Sequence, residues 1–201
     1  MKKQIIVIHG GDSFKTYKEY LIFLKDWQIN FKQYISRKDD WKKTLGKSLG
    51  KNYEVVLPDM PDKINAKYAE WKIWFEKFIP HLKPGVVLIG HSLGGLFLTK
   101  YLSKTKFPKK IRAVFLVAAP ISGGDFTKPK NFKKIEAQAR KIFLYHSKDD
   151  RIVPFTDFKK YQKKLKSAII KIFNNKGHFN QLRFPELVKD IKNLYLDQDL
   201  L

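Results

Sequence analysis

The stretch Val86-Val87-Leu88-Ile89-Gly90-His91-Ser92-Leu93-Gly94-Gly95-Leu96-Phe97-Leu98 decides the fold. It opens on a short β-branched apolar run, breaks at a glycine, and resumes as a helical apolar pattern. That reads as a buried strand, a sharp turn and a helix. The turn contains G-x-S-x-G, a pattern that chance alone would place in roughly one in fifteen chains of this length. Its setting is far more selective than the pattern itself. Glycines at 90 and 94 let the backbone fold tightly beneath Ser92 and leave its hydroxyl exposed at the carboxyl end of the strand. The competing reading is a glycine-rich turn with an N-capping serine.

Working outward, five more apolar runs end at turn residues. They are Gln4 to Ile8, Tyr53 to Leu57, Ala113 to Ala119, Ile142 to Tyr145 and Ala168 to Phe173. Runs apolar on both sides suit central parallel strands. Helical stripes lie between them: Tyr17 to Trp27, Trp41 to Leu49, Tyr68 to Phe78, Leu96 to Leu102, Phe158 to Leu165 and Pro185 to Leu196. The tryptophans and aromatic stripes read as core. The alternation predicts an α/β fold: one domain over 1–201, a three-layer α/β/α sandwich with a mostly parallel six-stranded sheet and right-handed crossovers. Residues 12–52, the widest gap between strands, form a helical insertion expected to hold two helices.

The chain has 201 residues, 41 Lys plus Arg against 19 Asp plus Glu, and a formal charge of +22. That length suits one domain, or at most two small ones, with a core that needs no staples. With 43% hydrophobic and 14% aromatic residues the chain is not disordered. It has no cysteine, which excludes a disulfide framework, a zinc–thiolate site and a cysteine nucleophile. A large basic excess usually points to nucleic acid or an anionic membrane. Here Arg occurs only at 37, 112, 140, 151 and 183, and the other 36 basic residues are Lys spread along the whole chain. Groups that read phosphates and bases favour the bidentate guanidinium, so the charge reads as compositional drift more than a binding footprint. The apolar run after Met1-Lys2-Lys3 stops at His9-Gly10-Gly11-Asp12, too short for a signal peptide. No run approaches the ~18 apolar residues of a membrane span. The expectation is a cytoplasmic protein.

A serine hydroxyl is a poor nucleophile without a base. His178, beside Gly177 in the loop after the last strand, is the candidate. His9 and His91 belong to glycine turns, His81 follows a helix at the surface, and His146 ends the fifth strand. The base in turn needs an acid to fix its tautomer and stabilise the imidazolium. The loop Lys148-Asp149-Asp150-Arg151-Ile152-Val153-Pro154 offers Asp149 and Asp150. Each of these three groups ends a different strand, so all can meet at one sheet edge. A developing oxyanion needs donors as well. The Leu93 N–H, just after the serine, is one. The loop after the first strand supplies the other, with Gly11 preferred and Asp12 its rival.

These residues resemble the α/β-hydrolase family over nearly the whole chain. The resemblance is carried by His9-Gly10-Gly11, Pro58-Asp59, Gly90-His91-Ser92-Leu93-Gly94-Gly95, Asp150 with Val153-Pro154, and Gly177-His178. The short form is similar to the small lidless branch that includes the YdeN proteins and the retinoblastoma-binding serine hydrolases. In that branch an Asp stands three residues before a Val-Pro, which matches Asp150. The resemblance implies a minimal hydrolase fold lacking the family's first two strands. It also implies a Ser92–Asp150–His178 triad and hydrolysis of an ester, thioester or amide with no cofactor and no metal. The usual lid position, Ile121 to Arg140, is short; it implies an open site that Phe126 and Phe132 line.

The expected partner is a small-molecule acyl substrate, with no specific nucleic acid, no membrane span and an unassigned oligomeric state. Two rivals stand beside the hydrolase: a catalytically weak pseudo-hydrolase that binds a protein, and a basic nucleic-acid-binding protein, for which the sequence offers no motif.

Overall fold

The computed structural model describes residues 2–36 and 39–196. Six strands form one sheet: β1 (Lys3–Ile8), β2 (Tyr53–Val56), β3 (Val86–His91), β4 (Ile111–Val117), β5 (Ala139–Ser147) and β6 (Ile169–Phe173). Their order is β2-β1-β3-β4-β5-β6, and every neighbouring pair is parallel. All six expected strands are present, with ends moved by a few residues. The helices are α1 (Tyr17–Asp26), α2 (Phe31–Ile35), α3 (Trp41–Leu49), α4 (Tyr68–Phe78), α5 (Leu93–Lys104), α6 (Phe132–Glu136), α7 (Phe155–Lys164) and α8 (Pro185–Asn193).

The two-sided apolar runs explain the layers. In a strand, successive side chains point to opposite faces. Ile6, Ile8, Leu88, Val114, Leu116 and Leu144 therefore meet one set of helices, through residues such as Trp71 and Phe75 of α4, Phe97 of α5 and Phe158 of α7. Ile5, Val7, Val87, Ile89, Phe115 and Val117 meet the other, through Trp41 and Leu45 of α3 and Leu187 and Ile191 of α8. The edge strands β2 and β6 are the least buried.

The strand order reverses at β1: β2 lies on one side of it and β3 on the other. In open parallel sheets the crevice beyond the strand ends at such a reversal is where ligands bind. The loops after β1 and β3, with Gly10, Gly11 and Ser92, open there.

Two expectations for residues 12–52 change. The segment carries three helices, since the five-residue α2 is too short to leave a readable period. Of the α1 stripe Tyr17, Tyr20, Leu21 and Leu24, expected as core, Tyr20 is half-buried and the other three are exposed, and no α1 residue is buried. Trp41 and Trp71 are core as expected, whereas Trp27 and Trp74 are exposed. Residues 37 and 38 of this segment lie outside the described residues.

Candidate active site

β3 runs directly into Ser92, which adopts φ +53° and ψ −125°. A non-glycine residue held there costs about 1–3 kcal/mol, which its surroundings must offset. The Ser92 N–H donates to the Val117 carbonyl at 2.9 Å, and its own carbonyl takes the N–H groups of Gly95 and Leu96. Its side chain caps no N–H of α5, so the N-capping alternative is not what this serine does. A glycine is required at 94. A Cβ there would stand 2.2 Å from the Ile8 carbonyl oxygen and 2.6 Å from that of His9. The first turn of α5 thus lies against the end of β1 with no room between them.

His178 sits in the loop after β6, between two residues of positive φ, Gly177 (+50°) and Phe179 (+55°). Its Nδ1 lies 2.9 Å from Asp150 Oδ2, and both side chains are withdrawn from solvent. The other carboxylate oxygen, Oδ1, accepts the N–H groups of Ile152 (2.8 Å) and Val153 (3.0 Å). Burial pushes the Asp150 carboxyl up, but the hydrogen bonds from His178, Val153 and Ile152 outweigh it and hold the group below the usual carboxylate range. An ionised Asp150 accepts Nδ1–H, which leaves Nε2 of the neutral ring as the basic nitrogen. Among the described residues no hydrogen bond joins Ser92 to His178; both line the same cavity. Contacts of this kind often close only around substrate.

Asp149 has different work. Its Oδ1 accepts the Ser147 hydroxyl and, at 3.0 Å, the Gly177 N–H. It joins the acid loop to the backbone of the His178 loop and makes no bond to the imidazole among the described residues.

At the oxyanion loop, Asp12 donates its N–H to the Lys63 carbonyl at 2.8 Å, which removes Asp12 as a donor. Among the described residues no carbonyl takes the N–H of Gly11 or of Leu93. His9 steadies this loop. Its Nε2 accepts the Met60 N–H at 2.9 Å, so Nδ1 carries the hydrogen and faces the Gly10 carbonyl at 2.6 Å. Burial lowers its pKa, which suits a neutral ring.

Three residues that hold the His178 loop were not legible as site residues. The His91 ring is buried, and its Nε2 lies 2.8 Å from the His178 carbonyl, to which Nε2–H donates. Burial pushes this imidazole well below its ordinary range, and the charges of Lys42 and His178 act in the same direction. The Trp41 indole N–H donates to the Phe179 carbonyl at 2.8 Å, and the Trp41 backbone N–H to Gln181 at 2.9 Å. The Thr44 hydroxyl donates to Leu182 at 2.7 Å. α3 thereby clamps the loop across 138 residues of sequence.

The cavity these loops enclose measures about 610 Å3. Ser92, His178, Gly10 and Gly11 line it on one side, and Trp27, Leu57 and Ile152 give it an apolar wall. Lys42 lines it too, with little of its side chain exposed and an ion pair to Asp40. Burial lowers its ammonium pKa against the opposing pull of Asp40. Phe126 and Phe132 do not line the cavity. Phe126 is buried against Trp71, Tyr68 and Phe97, and Phe132 packs on Tyr161. Among the described residues no cluster of three or more His, Cys, Asp or Glu side chains could hold a metal ion. No helix there is long and apolar enough to cross a membrane.

The all-parallel sheet, the serine at the strained turn after β3 and the crevice at the sheet reversal define an α/β-hydrolase fold. A family model described as "Serine hydrolase" matches residues 33–183, and the chain belongs to that family. It is 26% identical over 151 residues to the serine hydrolase RBBP9 of Rattus norvegicus, covering 71% of this chain and 78% of that one. It is 22% identical over 188 residues to YdeN of Bacillus subtilis (strain 168), covering 89% of this chain and 87% of that one. The crystal structure of the B. subtilis ydeN gene product superposes with a TM-score of 0.71 at 19% identity, covering 96% of this chain and 99% of that one. Est1E from Butyrivibrio proteoclasticus superposes with a TM-score of 0.59 at 12% identity, covering 100% and 89%.

Proposed function

We propose that the chain is a single catalytic domain that cleaves a carboxylic ester, or a thioester or amide, through an acyl-enzyme on Ser92. The observation that carries this reading is that His178, which lines the same cavity as Ser92, pairs its Nδ1 with Asp150 Oδ2 at 2.9 Å. His178 Nε2 takes the Ser92 proton as Oγ attacks the acyl carbonyl. The N–H groups of Leu93 and Gly11 stabilise the oxyanion, each worth about 3–4 kcal/mol in the transition state. His178 then protonates the leaving group. Water, deprotonated by the same nitrogen, releases the acid and restores Ser92. Asp150 stays ionised throughout and stabilises the imidazolium.

The serine hydrolase family supports the reaction class, and an apolar wall of Trp27, Leu57 and Ile152 suits an acyl chain. A fluorophosphonate probe tests the nucleophile. Wild type should be labelled on the peptide containing Ser92, and Ser92→Ala should not. Correctly folded wild type that stays unlabelled and hydrolyses no short p-nitrophenyl ester would instead fit a binding module.

A further inference from the structure

A helix with no buried residue needs an explanation, and α1 is one. Placed at 100° per residue, its apolar side chains other than Ile22, together with the capping residue Trp27, fill one arc in the order Phe23, Trp27, Tyr20, Leu24, Tyr17, Leu21. Lys25 and Lys18 stand next, bordering Leu21. One side of the arc is committed: the Phe23 and Tyr20 rings lie 4.9 and 5.6 Å from Phe14. The other side is not. Tyr17 is 66% exposed and Leu21 and Leu24 are 40% and 43% exposed. Later in the same segment Ile29, Phe31 and Ile35 are each about 70% exposed. Single exposed apolar residues are ordinary, but a contiguous run of them on one segment marks an interaction surface.

We propose that this face of residues 17–35 rests on an anionic lipid surface, with α1 lying in the plane of the interface. Three observations select that occupant. Lysines border the apolar arc, where their stems lie along acyl chains while their ammonium groups meet phosphates. Lys15 and Lys32 add to them, and of the two acids on α1, Glu19 is spent on the helix cap. The whole chain carries +22, which draws it to an anionic surface and opposes the approach of a second copy. Trp27, an aromatic that favours the headgroup level, is half exposed at the committed end of the arc and lines the cavity. Docking would therefore set the cavity beside the lipid phase. The dispersed lysines, read from sequence as drift, acquire a use.

Co-sedimentation of the full chain with vesicles tests this without turnover, so it stands or falls separately from Ser92. Wild type should pellet with phosphatidylcholine–phosphatidylglycerol vesicles, pellet poorly with phosphatidylcholine alone, and bind less as salt is raised. Leu21→Gln/Leu24→Gln should weaken binding about tenfold or more, and Lys18→Gln/Lys25→Gln should weaken it on anionic vesicles alone. Circular dichroism and hydrolysis of a short soluble ester should stay unchanged in both. Equal pelleting of wild type and the leucine variant would overturn the proposal, since charge alone would then explain binding. So would no pelleting at all, or a wild-type dimer by light scattering that the leucine variant converts to monomer.

Discussion

Trp41→Phe isolates the clamp on the His178 loop. The variant keeps an aromatic ring against His91 and Phe184 but removes the indole N–H that meets the Phe179 carbonyl. Phe179 is fully buried, so that carbonyl would be left without a donor, at about 1–3 kcal/mol. Phe179 also sits at φ +55°, a conformation that persists only where its surroundings hold it. A chain of this size loses about 2–4 °C of Tm per kcal/mol, so Tm should fall by about 2–12 °C. The distinctive effect is on rate. If the freed loop spends nine-tenths of its time with His178 away from Asp150, a bias of about 1.4 kcal/mol, kcat falls about tenfold. KM for a short p-nitrophenyl ester should change little, because the indole does not line the cavity. Assays below the variant's Tm separate loop placement from global unfolding. A lowered Tm with unchanged kcat would refute the idea that Trp41 positions the base.

Four further perturbations bear on the same site. Asp150→Asn should lower kcat about 10³–10⁴-fold by favouring the wrong His178 tautomer. Asp149→Asn keeps an acceptor for the Gly177 N–H and should cost far less; the reverse order of losses would show that the acid is misassigned. Gly94→Ala must move the backbone of Ile8 or His9 and should cost roughly 3 kcal/mol of stability, read as a large fall in Tm; an unchanged Tm would contradict the contact. Burial lowers the pKa of His9, His91 and His146. Each holds a proton less readily folded than unfolded, so around and below about pH 6.5 the unfolded chain binds more protons than the folded chain, and stability falls as pH falls, by at most about 1.4 kcal/mol per pH unit for each. Denaturant unfolding from pH 7 to 5 should show a shallower slope for His91→Gln than for wild type, and equal slopes would refute His91 as a neutral buried ring.

The strands were legible because each contains a short apolar run, and all but β5 end at a glycine, proline or asparagine stop. Ser92, His178 and the Asp149–Asp150 loop were legible because each ends such a run. What escaped was whatever depends on partners distant in sequence. Trp41 reads as core from its stripe, and it is core; nothing in residues 41–49 announces that its N–H faces Phe179. The work of Asp149 depends on where Gly177 falls. Phe126 sits in a loop and Phe132 opens the five-residue α6, where no periodicity can be read, and both turn inward. The α1 stripe misled for the opposite reason. An amphipathic pattern reports that a face avoids water, not which surface covers it.

The two sides of the cavity differ in what they tolerate. Beneath Ser92 the backbones of β1 and α5 touch so closely that a single added methyl at residue 94 has nowhere to go. The Trp27 side belongs to a segment with no buried residue in its helix. Residue 94 admits almost no change, whereas half of Trp27 faces open space. Substitution at Trp27 alone can therefore reshape the cavity without disturbing the packing beneath Ser92.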